Sequence, residues 1–262
     1  MKTVYHLHFG RIPQLVQDAG WEWLALKHAI GIADVVIALD CVTFDVLRHE
    51  FPHKSIVKVP NCLDLRQLLE ITGSNKAPHP RRNVPRVVYI GWMIPAKGVF
   101  ELVNASFRVA RFLPFQLEII GPCDPKYLSS VSDAGNGLGD RLIIRGELPH
   151  QEAMKSLSQA DILVLPSYTE GFPNVVIEAM ALGKPVIGTD VGAIPEMLSD
   201  IGFGPCGIVV PPRDVNALEN ALRILLSDAE LRKNMGESAR AKFEECYDVK
   251  VVFEQLMNLW TT

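Results

Sequence analysis

Six short, nearly unbroken runs of Val, Ile and Leu recur between residues 86 and 210: RVVYI, QLEII, RLIIR, ILVLP, PVIG and GIVV. A strand with one wet face alternates apolar and polar residues, whereas a strand covered on both faces has no need to. Runs of this kind, separated by longer amphipathic stretches, require a parallel sheet with helices packed on either side. Strands are predicted at 86–91, 115–121, 141–145, 162–166, 185–188 and 207–210. Helices are predicted near 98–112, 151–158, 174–182 and 194–198. Residues 86–210 thus read as a complete doubly wound α/β unit, and the tail from 215 to 260 as amphipathic helix.

The first 71 residues show a shorter version of the same rhythm. TVYHLHF, DVVIAL and SIVKVP read as strands, with helices at 19–30 and 42–49 between them. The stretch 72–85, TGSNKAPHPRRNVP, is polar, carries three prolines and has no period, so it reads as a linker. Charge divides at the same place. Residues 1–85 hold ten Lys and Arg against eight Asp and Glu, a balance of +2, and the remainder holds 16 against 22, a balance of −6. Six of the seven histidines also precede residue 85.

Composition excludes several classes. With 48% apolar residues the chain can bury a core, so disorder is excluded for most of it. A net charge of −4 argues against nucleic acid as a partner. The longest apolar runs are far too short to cross a bilayer, and His6, His8 and Arg11 interrupt any signal-peptide core. The five cysteines are scattered, with no CxxC pair, which suits reduced thiols in the cytoplasm.

Two strings imitate functional motifs. HEFPH (residues 49–53) spells the HExxH zinc pattern, but Pro52 breaks the continuous helix that would put both histidines on one face. GFGPCG (202–207) spells GxGxxG, yet it precedes a strand-like run instead of following one, so a turn is expected. AGNGLG (134–139) reads as a loop between helix and strand. There is no DxD pair and no cluster at metal-ligand spacing, so no metal and no cofactor is expected.

The informative segment is SYTEGFPNVVIEAMALGKPVIGTDVGAIPEML, residues 167–198. It follows a buried strand, and open α/β sheets bind ligands at the carboxyl ends of their strands. Gly171 allows close backbone approach, and Pro173-Asn174 suits a helix start whose free N–H groups would face an anion such as a diphosphate. Glu178, about one turn further in, could accept two hydrogen bonds from a vicinal diol.

This segment resembles the donor-site signature of retaining GT-B glycosyltransferases of the group-1 (family 4) type. They carry an E-x7-E motif, and Glu170 and Glu178 have that spacing. VPNCLD resembles the family's PNG-type turn, GWMIPAKGVFELV its first donor-domain strand–loop–helix, and IIGP a later strand end. The resemblance implies an α/β, GT-B-like fold with one complete Rossmann-like donor domain and part of another. Residues 1–71 would be the C-terminal part of the acceptor domain, 72–85 the linker, and 86–245 the donor domain. A C-terminal helix, 246–262, would pack back on the first domain.

The resemblance also implies roles. Glu178 would bind the ribose hydroxyls of a nucleotide-sugar, and Glu170 the donor sugar beside the backbone of Gly171 and Phe172. Lys97 would contact the diphosphate, and the 145–148 turn, with Gly146 and Leu148, would pack on the base. Gly91, Trp92, Asn174 and Val175 complete the donor-binding set. The catalytic residues would be Glu170, Lys97 and His8, with His6 and Arg11 near the acceptor side. The diphosphate itself would help deprotonate the acceptor, so no side-chain base is needed.

Three positions depart from the pattern. Trp92 stands where the family has an arginine, and is expected either to pack against donor or acceptor or to be a core aromatic. Cys62 replaces the glycine of the PNG turn, which points to a strained left-handed residue. The first βα units of the acceptor domain have no counterpart, so an in-frame extension upstream of Met1 is expected if the start is misplaced. The implied activity is metal-independent, retaining transfer from a UDP- or GDP-sugar to a saccharide or lipid-linked acceptor in cell-surface polysaccharide or glycolipid synthesis. It would take place in the cytoplasm, with peripheral contact at the inner membrane face. The alternative is a catalytically impaired nucleotide-sugar-binding fragment or partner subunit.

Overall fold

The computed structural model describes residues 3–8, 10–73 and 84–261. The N-terminal unit runs β1 (Val4–His6), α1 (Ile12–Asp18), α2 (Trp21–Ile32), β2 (Val35–Ala38), α3 (Cys41–Glu50), β3 (Ser55–Lys58) and α4 (Leu65–Thr72). Its three strands form a parallel sheet in the order β1-β2-β3, with Val4 opposite Val35 and Val35 opposite Ser55. The chain continues through β4 (Arg86–Ile90), α5 (Val99–Val109), β5 (Gln116–Ile120), α6 (Pro125–Gly135), β6 (Leu142–Gly146), α7 (His150–Ser158) and β7 (Ile162–Leu165). It ends through α8 (Asn174–Ala181), β8 (Val186–Thr189), α9 (Ile194–Leu198), β9 (Gly207–Val210), α10 (Val215–Ser227), α11 (Ala229–Cys246) and α12 (Val249–Thr261).

The second sheet is wholly parallel, in the order β6-β5-β4-β7-β8-β9. The chain therefore starts in the middle, winds outward, returns beside β4 and winds out the other way. Its inner strands are buried, and the two faces carry separate apolar cores, one with α7, α8 and α11 and the other with α5 and α10. The α/β reading and all six strand positions of this sheet hold to within a residue or two.

The helices show where the sequence misleads. The helix predicted at 19–30 is α2, but a short helix not predicted, α1, precedes it: Pro13 starts α1, Ala19 turns left-handed at φ 49°, and α2 begins afresh after Gly20. Helix α4 was not anticipated. Asp64 caps it through the amides of Arg66 and Gln67, and it includes Thr72, which had been read as linker. The rest of the linker, 74–83, lies outside the described residues. The helix implied before AGNGLG is α6, polar over much of its length, and the glycine-rich run after it is 3-10 turn on either side of Gly139, whose φ of 54° and ψ of −134° break it. HEFPH straddles the end of α3, leaving His53 beyond the helix, and no group of metal-binding side chains occurs among the described residues. GFGPCG leads into β9 as a turn. No described helix is long and apolar enough to cross a membrane.

Several contacts bind the two units. Helix α12 lays Val252, Leu256 and Leu259 against Val4, Ile37, Val57 and Val59 of the small sheet. Leu68 of α4 joins the core beneath α7. Lys58 Nζ lies 2.5 Å from Glu196 Oε1, and Glu196 Oε2 accepts from the Cys41 amide at 2.8 Å.

Candidate functional site

Strand order reverses between β4 and β7, so the chain leaves their carboxyl ends in opposite directions and opens a crevice there. Two loops face each other across it, 91–98 after β4 and 166–173 after β7. They are closely locked: the Tyr168 amide donates to the Ala96 carbonyl at 2.9 Å. Gly98 has φ +67° and ends the 3-10 turn Pro95–Lys97, and a Cβ there would lie 2.0 Å from the Pro166 carbonyl oxygen. Glycine is required on both counts.

This lock brings together two residues 73 positions apart. Lys97 Nζ lies 2.6 Å from Glu170 Oε1, both side chains mostly buried. Tyr168 is fixed beside them, its hydroxyl donating to Glu101 Oε1 at 2.5 Å and its ring stacked 4.5 Å from the Arg213 guanidinium. Burial and the Glu101 carboxylate push the Tyr168 phenol up to about 12, so it remains a donor at neutral pH.

Helix α8 starts at Asn174 after Pro173, as expected, and is enclosed from Val176 through Ala181. Its Glu178 is 9% exposed, and Oε1 meets His150 Nε2 at 2.7 Å. His150 opens α7, after the turn that contains Gly146 and Leu148. Gly146 has φ +69°, and Leu148 packs against the core beneath α8, as does Val175. Lys97, Leu148, His150, Glu170 and Glu178 thus all lie on the ring of loops and helices that follows the carboxyl ends of β4, β6 and β7.

The N-terminal unit closes over part of this ring. A Cβ on Gly10 would lie 2.3 Å from the Glu170 carbonyl oxygen, so backbone meets backbone there. Asn61 Nδ2 donates to Asn174 Oδ1 at 3.0 Å, at the start of α8. A cavity of about 520 Å³ opens between the units, lined among others by Arg11, Gln14, Asp40, Thr43, Thr169 and Glu170.

The remaining sequence-predicted residues are placed as follows. Trp92 follows Gly91 in the loop after β4 and is 61% exposed, so the core-aromatic reading is corrected: Tyr89 already fills the interior and donates to the Trp92 carbonyl at 2.7 Å. Cys62 carries no left-handed strain, since the non-glycine residues with positive φ among those described are Ala19 and Arg213. Phe172 is buried and packs edge-on to Tyr247 at 5.8 Å. His8 is not drawn into the Lys97–Glu170 pair. Its ring lies 4.2 Å from that of His6, and both line a separate cavity of about 690 Å³ beside Trp21.

Sequence reasoning missed His150, Tyr168, Glu101 and Asn61. His150 carried one signal, as the single histidine beyond residue 85 and set at a helix start. The others meet their partners across 67 and 113 positions, with no local pattern to announce them.

Comparison with known proteins agrees with this geometry. The family model described as "Glycosyl transferases group 1" matches residues 73–242. The chain is 30% identical over 179 residues to the alpha-D-kanosaminyltransferase of Streptomyces kanamyceticus, covering 67% of this chain and 45% of that protein. It spans about half the length of the curated relatives it matches. The structure of a sucrose-phosphate synthase from Thermosynechococcus elongatus superposes with a TM-score of 0.79 at 25% identity, covering 98% of this chain and 67% of that one. Anabaena HepE, crystallised with UDP-glucose, has a TM-score of 0.77 at 19% identity over 98% of this chain and 71% of its own, a likeness of fold.

Proposed function

This chain belongs to the group 1 glycosyl transferases, and on that footing we propose that it binds a UDP- or GDP-linked hexose and transfers the sugar with retention and without a metal. The observation that carries the reading is the pair of acidic contacts beyond the carboxyl ends of the strands, Glu170 against Lys97 and Glu178, in the buried middle of α8, against His150. Glu178 accepts the ribose diol, and Leu148 and Gly146 flank the base. Glu170 takes hydroxyls of the donor sugar beside Gly171 and Phe172.

Lys97 is the cation for the diphosphate. With no donor bound, Glu170 holds it by a charge-assisted hydrogen bond at 2.6 Å. An arriving diphosphate brings more negative charge and draws the ammonium across, which frees Glu170 for the sugar. As the glycosidic bond breaks, charge builds on the leaving diphosphate. Lys97 and the free amides at the start of α8, near Asn174 and Val175, are aligned before the step and stabilise that charge without reorganisation. Trp92, exposed at the rim, packs against donor or acceptor rather than replacing the lost arginine's two-pronged phosphate contact.

The acceptor is a saccharide or a lipid-linked saccharide of cell-surface polymer or glycolipid synthesis, reached from the cytoplasmic side of the membrane. The 520 Å³ cavity between the units, with its amides, hydroxyls and Arg11, suits a hydroxyl-rich acceptor. A second reading is favoured by Trp92 standing where the resemblance places a phosphate-binding arginine: a nucleotide-sugar-binding fragment or partner subunit without turnover. Incubation with radiolabelled UDP- and GDP-hexoses in EDTA separates the two. Transfer or slow donor hydrolysis supports the enzyme, tight nucleotide binding without either supports the partner subunit, and failure to bind UDP or GDP sinks both.

A further inference from the structure

Glu178 sits on a helix whose neighbours Ile177, Ala179 and Met180 are almost fully enclosed. A carboxylate in such a place is expensive unless its charge is met. The group that meets it is the His150 ring, 2.7 Å away. His150 is itself 59% exposed at the side chain, so no packing demand explains an imidazole there. It approaches the carboxylate from the solvent side, at the end of the turn that contains Gly146 and Leu148.

We propose that His150 is a positioning residue for nucleotide recognition. Its Nε2–H holds Glu178 Oε1 and fixes the plane of the carboxylate, so that Oε2 and the second lone pair of Oε1 face the ribose diol. This rests on the reading of Glu178 as the diol-binding group. The terminal torsion of a glutamate is soft, with broad wells. Two hydroxyls a fixed distance apart can be met together only when both carboxylate oxygens lie in the right plane. An anchor on one oxygen supplies that plane before the ligand arrives. The consequence is selective: His150 strengthens binding of ligands that carry the diol and is neutral toward those that lack it.

The test is calorimetric titration of the full chain with UDP and with GDP, continued with the tighter of the two and its 2′-deoxy counterpart. His150→Ala weakens the ribonucleotide about tenfold, whereas His150→Gln, whose amide can donate to the same oxygen, stays within about threefold. With the deoxynucleotide, wild type and His150→Ala bind within about twofold of each other. Melting temperatures of the variants separate loss of contact from loss of fold, and if His150→Ala does not fold, His150→Leu, which also lacks the donor, takes its place with the same expectations.

A loss that persists undiminished with the deoxynucleotide means that His150 touches base or phosphate directly, and overturns the proposal. So does unchanged binding in His150→Ala while Glu178→Gln weakens it, an outcome that leaves the Glu178 reading standing. If Glu178→Gln binds as wild type, or if neither nucleotide binds, that reading falls and the proposal with it.

Discussion

In the six-stranded sheet the four inner strands are enclosed on both faces, whereas in the three-stranded sheet β1 leaves Tyr5 and His6 exposed and its outer edge unpaired among the described residues. Both faces of the small sheet are covered, one by α1–α3 and the other by α12. Its open side is the edge. Beside that edge α2 is apolar nearly all round, turning Trp23 and Ile30 inward while Trp21, Leu24 and Ile32 stand 77%, 63% and 71% exposed. A helix apolar on every side is normally buried, and a parallel edge is normally covered. The larger unit carries a core on each face of its sheet, and Leu39 and Leu68 of the smaller unit join one of them. The smaller one is joined to it through α4, α12 and the contacts at Gly10 and Lys58.

The sharpest way to break this comparison is to strike the larger unit at its crevice. Glu178→Ala removes the carboxylate proposed to accept the ribose diol and takes away the partner of His150, so radiolabelled sugar transfer is expected to fall at least about a hundredfold. Undiminished transfer would show that the buried carboxylate serves packing alone.

A matched pair of glycine substitutions sharpens the contrast further. Gly98→Ala forces a Cβ onto the Pro166 carbonyl at φ +67° and parts the loops that join Lys97 to Glu170. It lowers stability in urea unfolding by about 3 kcal/mol. Gly73→Ala meets the same left-handed geometry at φ +66°, with open space around it, and costs about 1 kcal/mol. Equal losses would mean that backbone angle, rather than loop contact, sets the penalty.

The smallest effect lies on the seam between the units. Burial alone would raise the Glu196 carboxyl, but the Lys58 ammonium and the Cys41 amide outweigh it and hold the group below its ordinary range. Burial likewise opposes the charge on Lys58, and the hydrogen bonds to Glu196 and Cys41 carry its pKa up. A carboxylate depressed in this way stabilises the fold above its unfolded value of 4.5 and loses that contribution as pH falls. Glu196→Gln lowers the melting temperature by about 2 °C at neutral pH, and the gap to wild type closes on acidification below pH 4.5. A gap that is constant with pH would remove the ion pair from the account.

Legibility in the sequence followed the range of the interaction. The strands were legible because burial on both faces writes an unbroken apolar run into four or five adjacent residues. Glu170 and Glu178 were legible because one loop and one helix turn hold both. Helix α1 was not, because seven residues with a proline near their start give too short a period to read. Trp92 was ambiguous because an aromatic after a buried strand fits either side of the surface. Tyr89 decided the matter by filling the space below.

What the sequence determined by itself was the layering: parallel strands, helices on both faces, and a glycine- and proline-bearing loop after β7 that leads into a helix, all set by local periodicity and turn chemistry. What only the tertiary structure decided was which polar groups meet. Lys97 finds Glu170, His150 finds Glu178, and Lys58 finds Glu196 across 73, 28 and 138 positions. Those pairings follow from the reversal of strand order between β4 and β7 and from the closure of one unit on the other. Such geometry is fixed by packing over the whole chain and leaves no period in any single stretch of it.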